Sequence, residues 1–216
     1  MNTRSVQPEI LDSLAPDSTE AIRNRHELRF LNHFMGSFRW FSKQIHSYKT
    51  ADTNILELGS GDGSLAQYLI KRDKNLSRQY HALDTAPKPQ NLSNEVVWIQ
   101  QNALNYDNWD QHNICIVNLL LHQFKDEDLS QLGLKMQKCR FILANEPARY
   151  RIHQRQVALL DPFFSYVSRH DARVSIAAGF RGNELAELLG LPSEKWALFY
   201  TKTFFGAYRM IAVRKD

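Results

Sequence analysis

Ile55-Leu56-Glu57-Leu58-Gly59-Ser60-Gly61-Asp62-Gly63-Ser64-Leu65-Ala66-Gln67-Tyr68-Leu69 is the stretch on which the fold turns. A short apolar run carries an acid, glycines follow at alternate positions, and an amphipathic stretch begins at once, which predicts a strand, a tight turn and a helix. Glycines at 59, 61 and 63 permit positive φ and let a ligand lie against bare amides, with the positive end of the next helix turned toward it. This predicts a pocket of nucleotide size. Two familiar glycine loops fit poorly, because a phosphate loop ends in Gly-Lys-Ser/Thr and the dinucleotide fingerprint needs Gly where this chain has Ser64. Glu57 would repel a pyrophosphate, so a cationic or hydrogen-bond-donating ligand is expected instead.

An acid, one residue and then Gly-x-Gly-x-Gly resembles the first motif of the class I S-adenosylmethionine-dependent methyltransferases. The ammonium group of S-adenosylmethionine suits the carboxylate of Glu57, and the resemblance implies that Glu57, Gly59, Ser60, Gly61 and Gly63 hold that cofactor. Downstream, Gln79 to Asp84 reads as a strand ending in an acid. Parallel α/β sheets bind ligands at the carboxyl ends of their strands, which sets Asp84 beside the glycine loop. The resemblance makes Asp84, followed by Thr85, the ribose ligand; an exposed turn acid before Thr85-Ala86-Pro87 is the other reading. Glu95 to Ala103 predicts a third strand. The family usually has Asp and a small residue at its end, and this chain has Asn102-Ala103, which keeps an acceptor oxygen for the adenine but loses the charge. The fourth strand, Asn113 to Asn118, opens into Leu119-Leu120-Leu121-His122-Gln123-Phe124. That segment is similar to the fourth motif of small-molecule methyltransferases, where the strand end, here Asn118 and Leu119, flanks the cofactor and its methyl group. The Pro-Pro-Tyr type tetrapeptide common in amino-group methyltransferases of DNA and protein is absent.

A fifth strand is expected at Arg140 to Ala144, and Trp196 to Tyr200 with Ala207 to Val213 predict a terminal antiparallel pair. The fold class implied is α/β: a Rossmann-like seven-stranded, mostly parallel sheet with an antiparallel last strand, helices on both faces and an N-terminal helical lid. Residues 1–50 are assigned to the lid and 51–216 to the methyltransferase domain, with a substrate-specificity insertion at about 148–181. The 216 residues suit one domain, and 43% hydrophobic with 23% charged residues is ordinary for a globular chain. The longest apolar run, near Ile114 to Leu121, falls far short of the ~20 residues of a membrane span. Residues 1–8 lack an apolar signal core, so a cytoplasmic location is expected. Cys115 and Cys139 read as buried free thiols, and neither cysteines nor histidines have metal-ligand spacing.

Two regions outside the minimal cofactor fold are expected to choose the acceptor. In the first, Asp17-Ser18-Thr19-Glu20 predicts a capping box with Asp17 as cap and a helix through Arg29. Phe30, Phe34, Phe38, Trp40, Phe41 and Tyr48 follow, with Gly36 as a break. Such rings are mostly core, but Phe34 and Trp40 are candidates to close over substrate. In the second, six arginines against Asp161 and Asp171 give a local charge of +4, equal to that of the whole chain. They form either a solvated face or, through Arg149, Arg151 or Arg155, a grip on an anionic or carrier-bound acceptor. Asp161-Pro162 predicts a helix start running through Phe163, Phe164 and Val167, and Asn183 a cap for Glu184 to Leu189.

Methyl transfer from a sulfonium needs alignment more than activation. If a base is used, His122 is the first candidate, with a structural histidine as the alternative and Glu146, His153 and His170 in reserve; Glu146 and His153 are also candidate substrate contacts. The expected activity is methyl transfer to oxygen or carbon of a small aromatic, polyketide-like or quinone-like acceptor. RNA or protein as substrate, permitted by the pI of 9.1, and a non-catalytic cofactor-binding protein are the alternatives. The small net charge and the absence of a nucleic-acid module argue against RNA.

Overall fold

Every residue of β1 (Ile55–Leu58) is buried, as a strand covered on both faces must be. In this computed structural model, which describes residues 3–15 and 17–215, β2 (Tyr80–Asp84) and β4 (Ile114–Asn118) flank β1 in parallel, with Leu58 opposite both Leu83 and Val117. Residues 1, 2, 16 and 216, which belong to the two expected regions, lie outside the described residues. β3 (Val97–Gln100), β5 (Phe141–Pro147), β6 (Trp196–Lys202) and β7 (Ala207–Arg214) complete a seven-stranded sheet of order β3-β2-β1-β4-β5-β7-β6. β7 runs antiparallel between β5 and β6. The expected Rossmann-like architecture is thus present.

Side chains of successive strand residues alternate between two cores. On one face Leu56, Leu58, Cys115, Val117, Ile142 and Ala144 pack with Leu129, Leu132 and Met136 of α5 (Asp126–Met136) and Leu185 of α8 (Glu184–Leu188). On the other, Ile55, Ile114, Ile116 and Leu143 meet Phe41 and Ile45 of α3 (Ser37–Tyr48) and Leu65 and Leu69 of α4 (Ser64–Arg72). Cys115 and Cys139 are free and buried.

The helices before the sheet depart from expectation in detail. The cap of α2 (Thr19–Phe34) is Ser18, whose Oγ accepts from Ala21 N at 3.2 Å, so Asp17 precedes the cap, and the helix runs five residues beyond Arg29. Gly36 does break the pair, in the left-handed region at φ 66°. A short α1 (Ile10–Ser13) precedes them, and its first two amides, Ile10 N and Leu11 N, donate to the carboxylate of Asp171. In the second region, α6 (Arg151–Leu160) ends in a tight 3-10 turn over Asp161–Phe163, and α7 (Tyr166–Ala178) begins afresh. The expected start at Asp161-Pro162 is displaced because Phe164 is extended and Ser165 supplies the cap, its Oγ accepting from Ser168 N. β5 also outruns its expected end by three residues, since Asn145, Glu146 and Pro147 pair with Arg209, Tyr208 and Ala207. Among the described residues no helix is long and apolar enough to cross a membrane.

Candidate functional site

The glycine loop is closed from the neighbouring strand. Gly59, Gly61 and Gly63 all have positive φ. Gly59 N and Ser60 N donate to Leu83 O at 2.9 and 3.2 Å, Gly63 N donates to Ser60 O at 2.9 Å, and Gly61 N donates to Asp84 Oδ2 at 2.7 Å. The expected bare amides at these positions are therefore occupied internally; what the glycines contribute is close approach. A Cβ at Gly59 would lie 2.9 Å from Leu120 Cδ2, whereas one at Gly61 would meet nothing within 4 Å, so open space lies above Gly61.

Asp84 uses its other oxygen to accept from Ala86 N at 2.8 Å, and each carboxylate oxygen retains a lone pair. Thr85 follows, its carbonyl taken by Gln100 Nε2 at 3.2 Å. At the end of β3, Asn102 Oδ1 accepts from Leu104 N at 2.9 Å, and Ala103 is buried. On the loop itself Asp62 Oδ1 accepts from Ser64 N at 3.1 Å. Asp62 Oδ2 is buried without a hydrogen bond, 3.3 Å from Arg29 Nη1.

Glu57 lies on the α3/α4 side of β1, buried, with Oε2 accepting from Tyr80 Oη at 2.8 Å. Burial pushes its pKa up to about 7 despite that hydrogen bond, and nearby Asp84 and Asp62 push the same way. A cation arriving here would draw the proton off.

The end of β4 is a polar crossroads. Asn118 Nδ2 donates to Asn32 Oδ1 of α2 at 3.2 Å, and Asn118 Oδ1 accepts from Asn145 Nδ2 at 2.9 Å. Arg209 Nε donates to Asn145 Oδ1 at 3.2 Å and Arg209 Nη2 to Met35 O at 2.8 Å, while Trp40 covers its guanidinium at 5.4 Å. Leu119 follows at φ 58°, the one non-glycine with positive φ among the described residues. Glu146, fully buried, then gathers the turn: its carboxylate accepts from Leu120 N at 3.0 Å, Leu121 N at 2.9 Å and His122 N at 3.3 Å.

His122 is consumed by the same arrangement. Its Nδ1 lies 2.7 Å from Glu146 Oε2 and its Nε2 3.2 Å from Glu9 Oε1. Burial alone would lower its pKa, but the hydrogen bonds to Glu146 and Glu9 outweigh it and raise it to about 9. The imidazole is protonated at neutral pH and both nitrogens are engaged, so it has no lone pair to offer. His122, the expected general base, is thus held between two carboxylates, and Glu146 accepts four hydrogen bonds within this turn.

Arg149 corrects another expectation: it is buried, donating from Nε to Gly179 O at 3.1 Å and pairing through Nη2 with Glu184. Arg151, at the start of α6, is exposed. His153 is buried against Gly206, with Nδ1 2.7 Å from Gln156 Oε1. Because Gln156 Nε2 donates to Phe204 O, its Oε1 faces His153 and accepts from Nδ1, while the buried Nε2 has no hydrogen-bond partner. Phe34, 52% exposed, packs on Phe205 and Phe30 with ring centroids 4.6 and 6.3 Å away. With Phe30, Phe163 and Phe164 it lines a cavity of about 510 Å³ between α2 and the α6–α7 connection. Trp40 is not among the residues lining that cavity. Nothing local in the sequence marks Arg209, Asn32 and Glu9, whose partners lie far away in the chain.

No family model and no curated protein matches the chain. Solved structures do. The plantazolicin methyltransferase BpumL, in complex with a triazolic desmethylPZN analog and SAH, is similar at a TM-score of 0.71 and 11% identity over 95% of this chain and 93% of that one. The fold is one that methyltransferases use. The pyocyanin biosynthetic protein PhzM (TM-score 0.60, 16% identity, 96% of this chain and 62% of that one) and human N-acetylserotonin methyltransferase in complex with SAM (0.54, 14%, 95% and 61%) share it.

Proposed function

We propose that the chain is an S-adenosylmethionine-dependent methyltransferase acting on oxygen or carbon of a small, flat, apolar acceptor. The observation that carries this reading is the joining of Asp84 to Gly61 across adjacent strands. It gives a carboxylate with spare lone pairs beside open space at Gly61, with buried Glu57 below and Asp62, ion-paired with Arg29, beside it. These groups fit the cofactor: Asp84 for the ribose hydroxyls, Glu57 and the loop for the cationic methionine end, and Asn102 with Ala103 for the adenine. The bound cofactor supplies a methyl group already activated on a sulfonium, so alignment is the chain's main task.

The aromatic lining of the cavity supports an apolar acceptor. It also draws on both expected specificity regions, the residue 1–50 extension as lid and the insertion at about 148–181. BpumL was seen with a triazolic analog, and a comparable heteroaromatic is a reasonable first acceptor to try.

Calorimetry with S-adenosylhomocysteine and radiolabelled methyl transfer to a panel of phenols, hydroxyquinones and azoles test the reading. Asp84→Asn is expected to weaken cofactor binding by about tenfold or more. A wild-type chain that binds no S-adenosylhomocysteine sinks it.

A further inference from the structure

Arg4 and Glu9 precede every long helix, yet both reach the turn that follows β4. The Arg4 side chain is only 6% exposed. Its Nη2 donates to His122 O at 2.9 Å and Phe124 O at 2.5 Å, its Nε to Ala178 O at 2.8 Å, and its guanidinium lies 5.0 Å over the Phe180 ring. Glu9 accepts from Gln123 Nε2 at 3.2 Å and from Ser175 Oγ, besides facing His122 Nε2. The turn is therefore gripped twice: Glu146 takes its amides, and the N-terminal segment takes its carbonyls and the far side of its histidine. A left-handed leucine persists only where the surroundings over-determine it, and Leu119 is such a residue. The next residue, Leu120, packs on Gly59, so the shape of the turn is passed directly to the cofactor loop.

We infer that Arg4 and Glu9 are positioning residues for methyl transfer, on a strap that holds the Leu119–His122 turn in its working shape against the glycine loop. This deepens the methyltransferase reading and rests on it. The charged groups around His122 are Glu9 and Asp12 from the strap and Glu146 from β5, with Arg4 on its backbone carbonyl; Asp171 of α7 acts on Asp12, and Asp126, at the start of α5, is paired with Arg4. With His122 charged, the strap carboxylate is attracted; once His122 is neutral, Glu9 and Glu146 face each other uncompensated.

The full-length chain with Glu9→Gln, and separately with Arg4→Met, tests the strap. Without any ligand, hydrogen exchange at the Leu120, Leu121 and His122 amides is expected to quicken by about tenfold or more in both variants. Affinity for S-adenosylhomocysteine is expected to stay within about threefold, while kcat drops by about tenfold and acceptor KM changes little. An alkaline fall of kcat is expected in the wild type as His122 loses its proton, and in Glu9→Gln that fall is expected at lower pH because one of the two carboxylates sustaining the imidazolium is gone. A structural role alone would lower the folded fraction without moving that limb. Unchanged exchange in both variants overturns the strap, as does a kcat loss matched by lost folded protein. Absence of methyl transfer by the wild type overturns the parent reading, and the exchange data then show whether the strap exists apart from it.

Discussion

Nδ1 of His122 stands 2.7 Å from Oε2 of Glu146, with both side chains buried. The imidazolium this pair sustains has a folded pKa of about 9 against 6.5 ordinarily. Its stabilising contribution is therefore complete below pH 6.5 and is lost as pH rises through 9, amounting to about 3 kcal/mol. Urea unfolding at pH 6.5 and at pH 10 should show that loss in the wild type and a much smaller one in His122→Gln. Equal losses in both would mean that another group titrates.

Glu57 works in the opposite direction for the ligand. Its raised pKa of about 7, against 4.5 ordinarily, means that the free fold favours the neutral acid; the penalty for ionising it grows as pH rises from 4.5 through 7. A cationic ligand needs the carboxylate, so affinity for S-adenosylmethionine should rise by up to about tenfold between pH 6 and 8. Calorimetry on Glu57→Gln should show weaker binding with that rise gone, while the free variant loses less stability than the wild type over the same interval.

Gly59→Ala places a Cβ where φ is 67° and Leu120 Cδ2 is 2.9 Å away. The leucine can shift, so the backbone term dominates, and a loss of about 1–2 kcal/mol is expected. Because the cost falls on the cofactor loop, S-adenosylhomocysteine binding should weaken in the same variant. Thermal unfolding and calorimetry that match wild type would contradict the description of the loop.

Phe34→Ala removes a half-exposed ring from the aromatic cavity. Stability should change by less than about 1 kcal/mol, since most of the ring already faces water. Steady-state kinetics should show acceptor KM raised by about tenfold with cofactor affinity preserved. A variant with unaltered KM would move the acceptor elsewhere.

By itself the sequence determined the strand, glycine loop and helix around residues 55–72, the parallel strands ending at Asp84 and Asn118, and the opposition of Asp84 to the loop. The strands, loop and helix are written locally, as short apolar runs and glycines at fixed offsets, and the place of Asp84 follows once those strands are set parallel. Tertiary structure alone decided that β7 enters between β5 and β6 and lengthens β5 through Pro147. It alone decided that Ser165 rather than Asp161 starts α7, and that His122 sits between Glu146 and Glu9. Glu9 lies 113 residues from His122 in the chain, and Arg4 lies 174 from Ala178. Polar contacts across such spans obey no period and follow no local motif. They exist only because the folded sheet brings the end of β4 beneath the N-terminal segment, and burial then sets which groups hold charge.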